Sequence, residues 1–246
     1  MKDNFSKQAC LYANFRPGYP DALYDFIFTH VKNFETALDV ATGNGQAASV
    51  LADRFTKVYA TDISKKQLDN AIKKENIFYL VESAEQFSFA DNYFDLITVA
   101  QAIHWFDFEK FYAEVNRTLK KDGLIVVIGY GLIRVDDKVN SIIDHFYKNI
   151  IGSYWDKERK YIDEEYCTIP FPFKEIESPK LFIEYEWNLD HFLNYLQTWS
   201  AVQHYITANN INPVSTKMIN DLRSCWNETE KKRAQFSLFI KAAKKQ

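Results

Sequence analysis

The sequence predicts an α/β fold built on a doubly wound, mostly parallel sheet. From residue 37 to about 130, strand-like apolar runs alternate with helix-like segments over short connections. The strand candidates are nearly unbroken apolar text, LIVVI above all, which suits strands covered on both faces. Two of only seven glycines fall at one strand end, inside ALDVATGNG, where average usage would spread about 17 over a chain of this length.

Strands are expected at 37–41, 57–63, 77–83, 94–102 and 124–131, with helices at 46–55, 64–74 and 108–119. Ser64 has the hydroxyl of a helix N-cap, and Lys121-Asp122-Gly123 reads as a turn before the fifth strand. Beyond residue 131 the alternation weakens. Residues 136–151 read as helix, 152–175 as an aromatic, proline-containing irregular stretch, 180–187 as a sixth strand, and 190–208 and 213–228 as helices. Residues 235–242 alternate again as a last, antiparallel strand. One domain over 1–246 is expected: an arm and first helix (1–36), a cofactor-binding core (37–131), a substrate-covering region around the sixth strand (132–233) and the last strand (234–246).

Composition narrows the function. A net charge of −3 carries no polyanion signature, and 47% hydrophobic with 26% charged residues describes a folded, soluble chain. Cys10, Cys167 and Cys225 are odd in number and lack zinc-ligand spacing, so free thiols in a reducing compartment and no metal are expected. Without a signal-like or membrane-length apolar run, a cytoplasmic protein that binds neither nucleic acid nor membrane is expected. Aromatic residues reach 16%, many of them in 146–205, where core packing competes with an apolar or planar substrate pocket.

A strand, a glycine turn and a helix N-terminus present backbone N–H groups to a polar or anionic ligand. Gly43, Gly45 and Ala48, followed by Asp62 at the second strand's end, suit a nicotinamide dinucleotide or a nucleoside-type methyl donor. Under either reading the Asp62 carboxylate accepts from two ribose hydroxyls. The methyl donor is favoured by Asp39 inside the first strand, by the antiparallel last strand, and by the lack of a Tyr-x-x-x-Lys pair.

ALDVATGNG, YATDIS, ESAEQFSFADNYFDLITVAQAIHWFD and LKKDGLIVVIG together resemble class I S-adenosylmethionine-dependent methyltransferases. With the arm YANFRPGYP and the later TWSAVQHY, they are most similar to the small-molecule group that includes trans-aconitate methyltransferases. The resemblance implies a seven-stranded Rossmann-like sheet with helical cover, S-adenosyl-L-methionine as methyl donor and a small-molecule acceptor. It implies that Gly43 and Gly45 line the donor's methionine portion, with Asp39 at the loop's base. Asp62 holds the ribose, Ile63 packs on adenine, Ser83, Ala84 and Glu85 meet the adenine edge, and Gln101 closes the site near the methyl. Two positions depart from the pattern: Ala41 replaces the loop's first glycine, and Ser83 replaces an aspartate that commonly accepts from adenine's amine.

For the acceptor, His104 is the candidate base or positioning group, able to take a proton or to hold a carboxylate as a cation. Two prolines and a glycine give the arm a fixed path, so Tyr12 and Arg16 are candidate donor contacts and Tyr19 a candidate substrate contact. Trp105, Trp155, Trp199 and Tyr205 are further pocket candidates. Arg134, Arg159 and Lys160 are able to serve an anionic acceptor, but Asp156, Glu158 and Asp163 surround them in sequence and favour a solvated charged face. AQAIHW stands where adenine and glutamine methylation would place an Asn/Asp-Pro-Pro-Tyr/Phe block, so an oxygen of a small molecule is expected to receive the methyl. A nicotinamide-dependent oxidoreductase and a non-catalytic cofactor-binding protein are the alternatives.

Overall fold

The computed structural model describes residues 15–246. Strands β1 (Thr36–Val40), β2 (Lys57–Asp62), β3 (Ile77–Val81), β4 (Phe94–Ala100), β5 (Leu119–Tyr130), β6 (Phe182–Trp187) and β7 (Lys232–Lys244) form one sheet. Their order is β3-β2-β1-β4-β5-β7-β6. The first five pair in parallel, and β7 runs antiparallel to both β5 and β6. The doubly wound sheet with an antiparallel last strand is therefore present as expected.

Alternation along the central strands builds two cores. Ala37, Leu96, Leu124 and Val126 face one side and pack with Leu23 and Ile27 of α1 (Asp21–His30) and Leu51 of α2 (Gln46–Leu51). Leu38, Val40, Ile97, Val99, Ile125 and Val127 face the other and pack with Phe111 and Val115 of α4 (Phe108–Thr118), which follows the short α3 (Lys65–Asp69). A period of two residues sends neighbours to opposite faces, so a strand covered on both sides is mostly apolar, and its buried polar residues need hydrogen-bond partners.

The cover over the first core consists of α5 (Asp137–His145), α7 (Leu189–Gln197), α8 (Ser200–Asn209) and α9 (Thr216–Cys225), while α6 (Arg159–Asp163) meets the second core through Ile162. Three expectations are corrected here. The helix expected over 136–151 changes to a π-helical turn over Phe146–Ile150. The helix expected over 190–208 breaks at Thr198 and Trp199, where the Thr198 carbonyl accepts from Arg16 Nη2 at 3.1 Å. In an unbroken helix that carbonyl would face an N–H four residues on. Residues 121–123 form a bulge inside β5 rather than a turn before it: Phe94 pairs with Leu119, Leu96 with Leu124, and Asp122 takes φ +62°. Asp122 N–H donates to the Lys245 carbonyl at 2.9 Å, and Lys245 N–H to that of Gly123 at 2.9 Å, so the end of β7 holds the bulge.

Cys167 and Cys225 are free thiols, and Cys10 lies outside the described residues. No described helix is long and apolar enough to cross a membrane.

Candidate active site

The parallel strands β1, β2 and β4 end at one edge of the sheet, and the loops that follow them wall a cleft of about 870 Å³, part of it open to solvent. Past Val40 the chain turns through Ala41, Thr42, Gly43, Asn44 and Gly45 into α2. Ala41, Gly43 and Gly45 take φ of +54°, +58° and +79°. At Ala41 the left-handed conformation costs about 1 kcal/mol that a glycine would not incur. Gly45 is the N-cap of α2, and a Cβ there would stand 2.3 Å from Tyr79 Oη. Its role is thus to let the chain pass Tyr79. Gly43, by contrast, lines the cleft.

Two carboxylates organise these loops. Asp39 Oδ2 accepts from Thr42 Oγ1 at 2.5 Å and its Oδ1 from Thr98 Oγ1 at 2.7 Å. Burial pushes the Asp39 carboxyl up to about 6, against the pull of those hydrogen bonds and with a smaller push from Asp62. Asp62 Oδ2 accepts from Gly43 N–H at 2.9 Å and Oδ1 from Ser64 N–H at 2.8 Å, so one side chain joins the glycine loop to the turn after β2. Ser64 caps α3 as expected, accepting from Gln67 N–H. Gln67 is 4% exposed, lines the cleft, and has an Oε1 with no hydrogen-bond partner among the described residues.

Ile63, Gln101, Arg16, Tyr19 and Trp105 also line this cleft, as does Tyr130. Gln101 takes φ +55°, and its carboxamide grips the Tyr130 backbone, Oε1 accepting at 2.8 Å and Nε2 donating at 3.2 Å. Arg16 Nη1 donates to Tyr130 Oη at 3.0 Å, which ties the arm to the end of β5.

A second cavity of about 450 Å³ adjoins the first, and Arg16, Gln101 and Trp105 line both. Its remaining wall includes His104, Trp155, Asp156, Arg159 and Ile162. His104 follows β4 in a short 3₁₀ turn and shares a hydrogen bond of 2.9 Å between Nδ1 and Tyr166 Oη. Burial, helped by the positive charge of Arg159, lowers its pKa to about 3, so the imidazole is neutral at physiological pH. That corrects the expectation of a cationic histidine holding a carboxylate.

Several expected site residues stand elsewhere. Trp199 and Tyr205 line neither cavity. The break before α8 turns the Trp199 indole into the core against Phe146, Tyr147, Trp155 and Tyr195, while Tyr205 packs on Tyr154. Ser83, Ala84 and Glu85 are likewise absent from the cleft's walls: Ala84 is buried, and Ser83 donates its hydroxyl to Glu85. Tyr12 lies outside the described residues.

The structure also separates the three cations taken as one solvated face. Arg134 pairs with Asp144 at the surface and Lys160 is exposed, but the Arg159 side chain is only 18% exposed and borders the second cavity. Sequence reading weighed Arg159 for an anionic acceptor but favoured the solvated face, and it missed Asp156, Tyr130, Thr98 and Gln67 as site residues. Of these, Gln67 had a signal, lying one helical turn beyond the Ser64 cap.

Residues 38–127 match the family described as Methyltransferase domain. A candidate methyltransferase of Dictyostelium discoideum is 35% identical over 212 residues, covering 85% of this chain and 81% of that protein. The solved structure of a candidate type II methyltransferase from Anaeromyxobacter dehalogenans superposes with a TM-score of 0.86 at 35% identity, covering 94% of this chain and 98% of the other. A candidate methyltransferase of Bacillus halodurans, 21% identical with a TM-score of 0.54 over 92% of this chain and 98% of its own, shares the fold.

Proposed function

The chain belongs to the class I S-adenosylmethionine-dependent methyltransferases, and from that premise we propose that it methylates an oxygen of a small acceptor seated in the second cavity. The observation that carries this reading is the shared wall: Arg16, Gln101 and Trp105 border both the donor cleft and the neighbouring cavity. The family sets aside the nicotinamide reading of the glycine loop.

The residues of the cleft suit the donor. Asp39 offers a buried carboxylate to the ammonium, Asp62 offers a carboxylate to the ribose hydroxyls, and Ile63 offers an apolar face to adenine. The Gln67 Oε1, without a hydrogen-bond partner among the described residues, adds a polar atom beside them. S-adenosylmethionine supplies a methyl group already activated by a sulfonium, so alignment and exclusion of water outweigh acid–base chemistry.

The acceptor oxygen forms the new C–O bond as the C–S bond breaks, and the electron pair of that bond stays on sulfur. An ionised carboxylate has no proton to shed. A hydroxyl must lose one, and an imidazole whose pKa lies near 3 is a weak acceptor for it. His104 therefore serves this reading as a neutral hydrogen-bonding group that orients the acceptor, with Nδ1 fixed by Tyr166.

Mass spectrometry of small acids, phenols and amines incubated with labelled donor tests the reading. An O-methylated product is expected, with turnover lost in His104→Ala and donor affinity unchanged. Methyl found on nitrogen or carbon overturns the oxygen assignment, and a donor that binds without turnover on any acceptor favours a non-catalytic role.

A further inference from the structure

Gln67 lies in the first turn of α3, where its backbone N–H donates to the Ser64 hydroxyl at 3.3 Å. Its side chain borders the cleft and the residue is 4% exposed, yet Oε1 accepts from no described residue. A buried acceptor with no hydrogen bond destabilises the protein, and a ligand N–H or O–H that reaches it removes the penalty. Sheet order decides which part of the donor can do so. β2 and β4 stand on either side of β1, so their ends lie about 10 Å apart. Gln101, His104 and Trp105, which follow β4, border the second cavity, and none of the residues that follow β1 or β2 does. With the acceptor seated there, the reacting methyl points to the β4 end of the cleft. The base, at the far end of the adenosyl group from the sulfonium, then lies at the β2 end. α3 packs against β2 and β3, which puts Gln67 on that side.

We propose that Gln67 reads the donor's adenine base, Oε1 accepting from the 6-amino group while Nε2 donates to the ring nitrogen beside it. The proposal rests on the cleft being the donor's seat and the second cavity the acceptor's. A carboxamide presents an acceptor and a donor side by side, the complement of an adenine edge. The donor has few other hydrogens to offer Oε1. Its ribose hydroxyls meet the carboxylate of Asp62 and its ammonium that of Asp39, and a carboxylate is the stronger acceptor for either. The 6-amino group is what remains. Ser83 and Glu85, the sequence's candidates for this edge, stand outside the cleft walls and bond to each other. The role of edge reader thus passes from the turn after β3 to the helix after β2.

The test is calorimetry on the whole chain with three ligands: S-adenosylhomocysteine, the analogue whose 6-amino group is replaced by hydrogen, and the 3′-deoxy analogue. The wild-type chain is expected to bind S-adenosylhomocysteine about 10- to 100-fold more tightly than the 6-deamino analogue. Gln67→Met keeps the length of the side chain without its polar atoms, and melting curves confirm that it folds. In that variant the preference for the amine should shrink to about threefold or less, while the preference for the 3′-hydroxyl stays as in wild type. Equal affinity of the wild-type chain for the first two ligands overturns the proposal without any variant. Three results with Gln67→Met overturn it as well: a retained preference for the amine, an equal loss of affinity for all three ligands, and a loss that follows the 3′-hydroxyl instead. Asp62→Ala separates these failures from failure of the cleft itself. If it binds S-adenosylhomocysteine as tightly as wild type, the donor's seat is elsewhere and the proposal falls with that reading. If it binds weakly while Gln67→Met keeps the amine preference, the seat stands and Gln67 alone loses its role.

Discussion

The cleft proposed for the donor and the cavity proposed for the acceptor share three residues yet are built in different ways. Much of the cleft wall comes from short turns where parallel strands end: backbone in left-handed conformations at Ala41, Gly43 and Gln101, and the carboxylates of Asp39 and Asp62 joining one turn to another. The acceptor cavity takes its walls from distant stretches of chain, with Arg16 from the arm, His104 after β4, Trp155 and Arg159 around α6, and Ser200 at the start of α8. The first construction is tied to the sheet, which pins its geometry. The second depends on side chains that can be exchanged without touching a strand, so acceptor specificity can change while donor binding is kept.

Four measurements bear on that contrast. Trp199→Ala removes a buried indole from the cover and should cost about 3–5 kcal/mol of stability. Its donor Kd at a temperature where the variant is folded should match wild type, and a large loss of donor affinity would break the division. Asp62→Ala releases both Gly43 and Ser64 and should weaken donor binding about 100-fold or more by calorimetry, with a smaller change in melting temperature. Acidification comes next. The ordinary carboxyl value for Asp39 is 3.8 and burial holds it near 6, so the group is ionised and ready for an ammonium only above that pH. Donor affinity should fall by up to about tenfold per pH unit below 6, and Asp39→Asn should be weak and flat across that range. In the unliganded protein the sign reverses: the raised value makes Asp39 favour folding at low pH, a contribution lost as pH rises from about 4 to about 6. The smallest effect is Ala41→Gly, which relieves a left-handed alanine and gives back part of the gain in unfolded-chain entropy. A net gain of about 0.5 kcal/mol should appear in denaturant melts, with donor Kd unchanged.

The same division governs what could be read from the sequence. Strand positions, Gly43, Asp39 and Asp62 were legible because their signals are local: apolar runs, scarce glycines, and acids at strand ends. Trp199 was misplaced because the break that turns it inward involves Arg16, 182 positions away, whose guanidinium takes the Thr198 carbonyl. Arg159 was assigned to a solvated face because the acids around it in sequence balance it on paper. In space, Tyr147 and Trp155 cover it, and among the described residues it pairs with Asp163 alone. Ser83 was assigned by its position in a motif, but its hydroxyl is spent on Glu85. The short helices were overestimated because their propensity runs past the point where packing ends, as in α3, where only Lys65–Asp69 is helical.

The placement of β7 has a consequence for synthesis. Residues 232–244 supply the strand between β5 and β6, so at translation rates of about 5–20 residues per second the ribosome releases residues 15–187 well before their sheet can be completed. Until then β5, apolar over Leu124–Tyr130, is an open edge able to pair with a neighbouring chain. Chains truncated before Lys232 should collect in inclusion bodies, and the full chain should gain most from chaperones in the seconds before that stretch emerges.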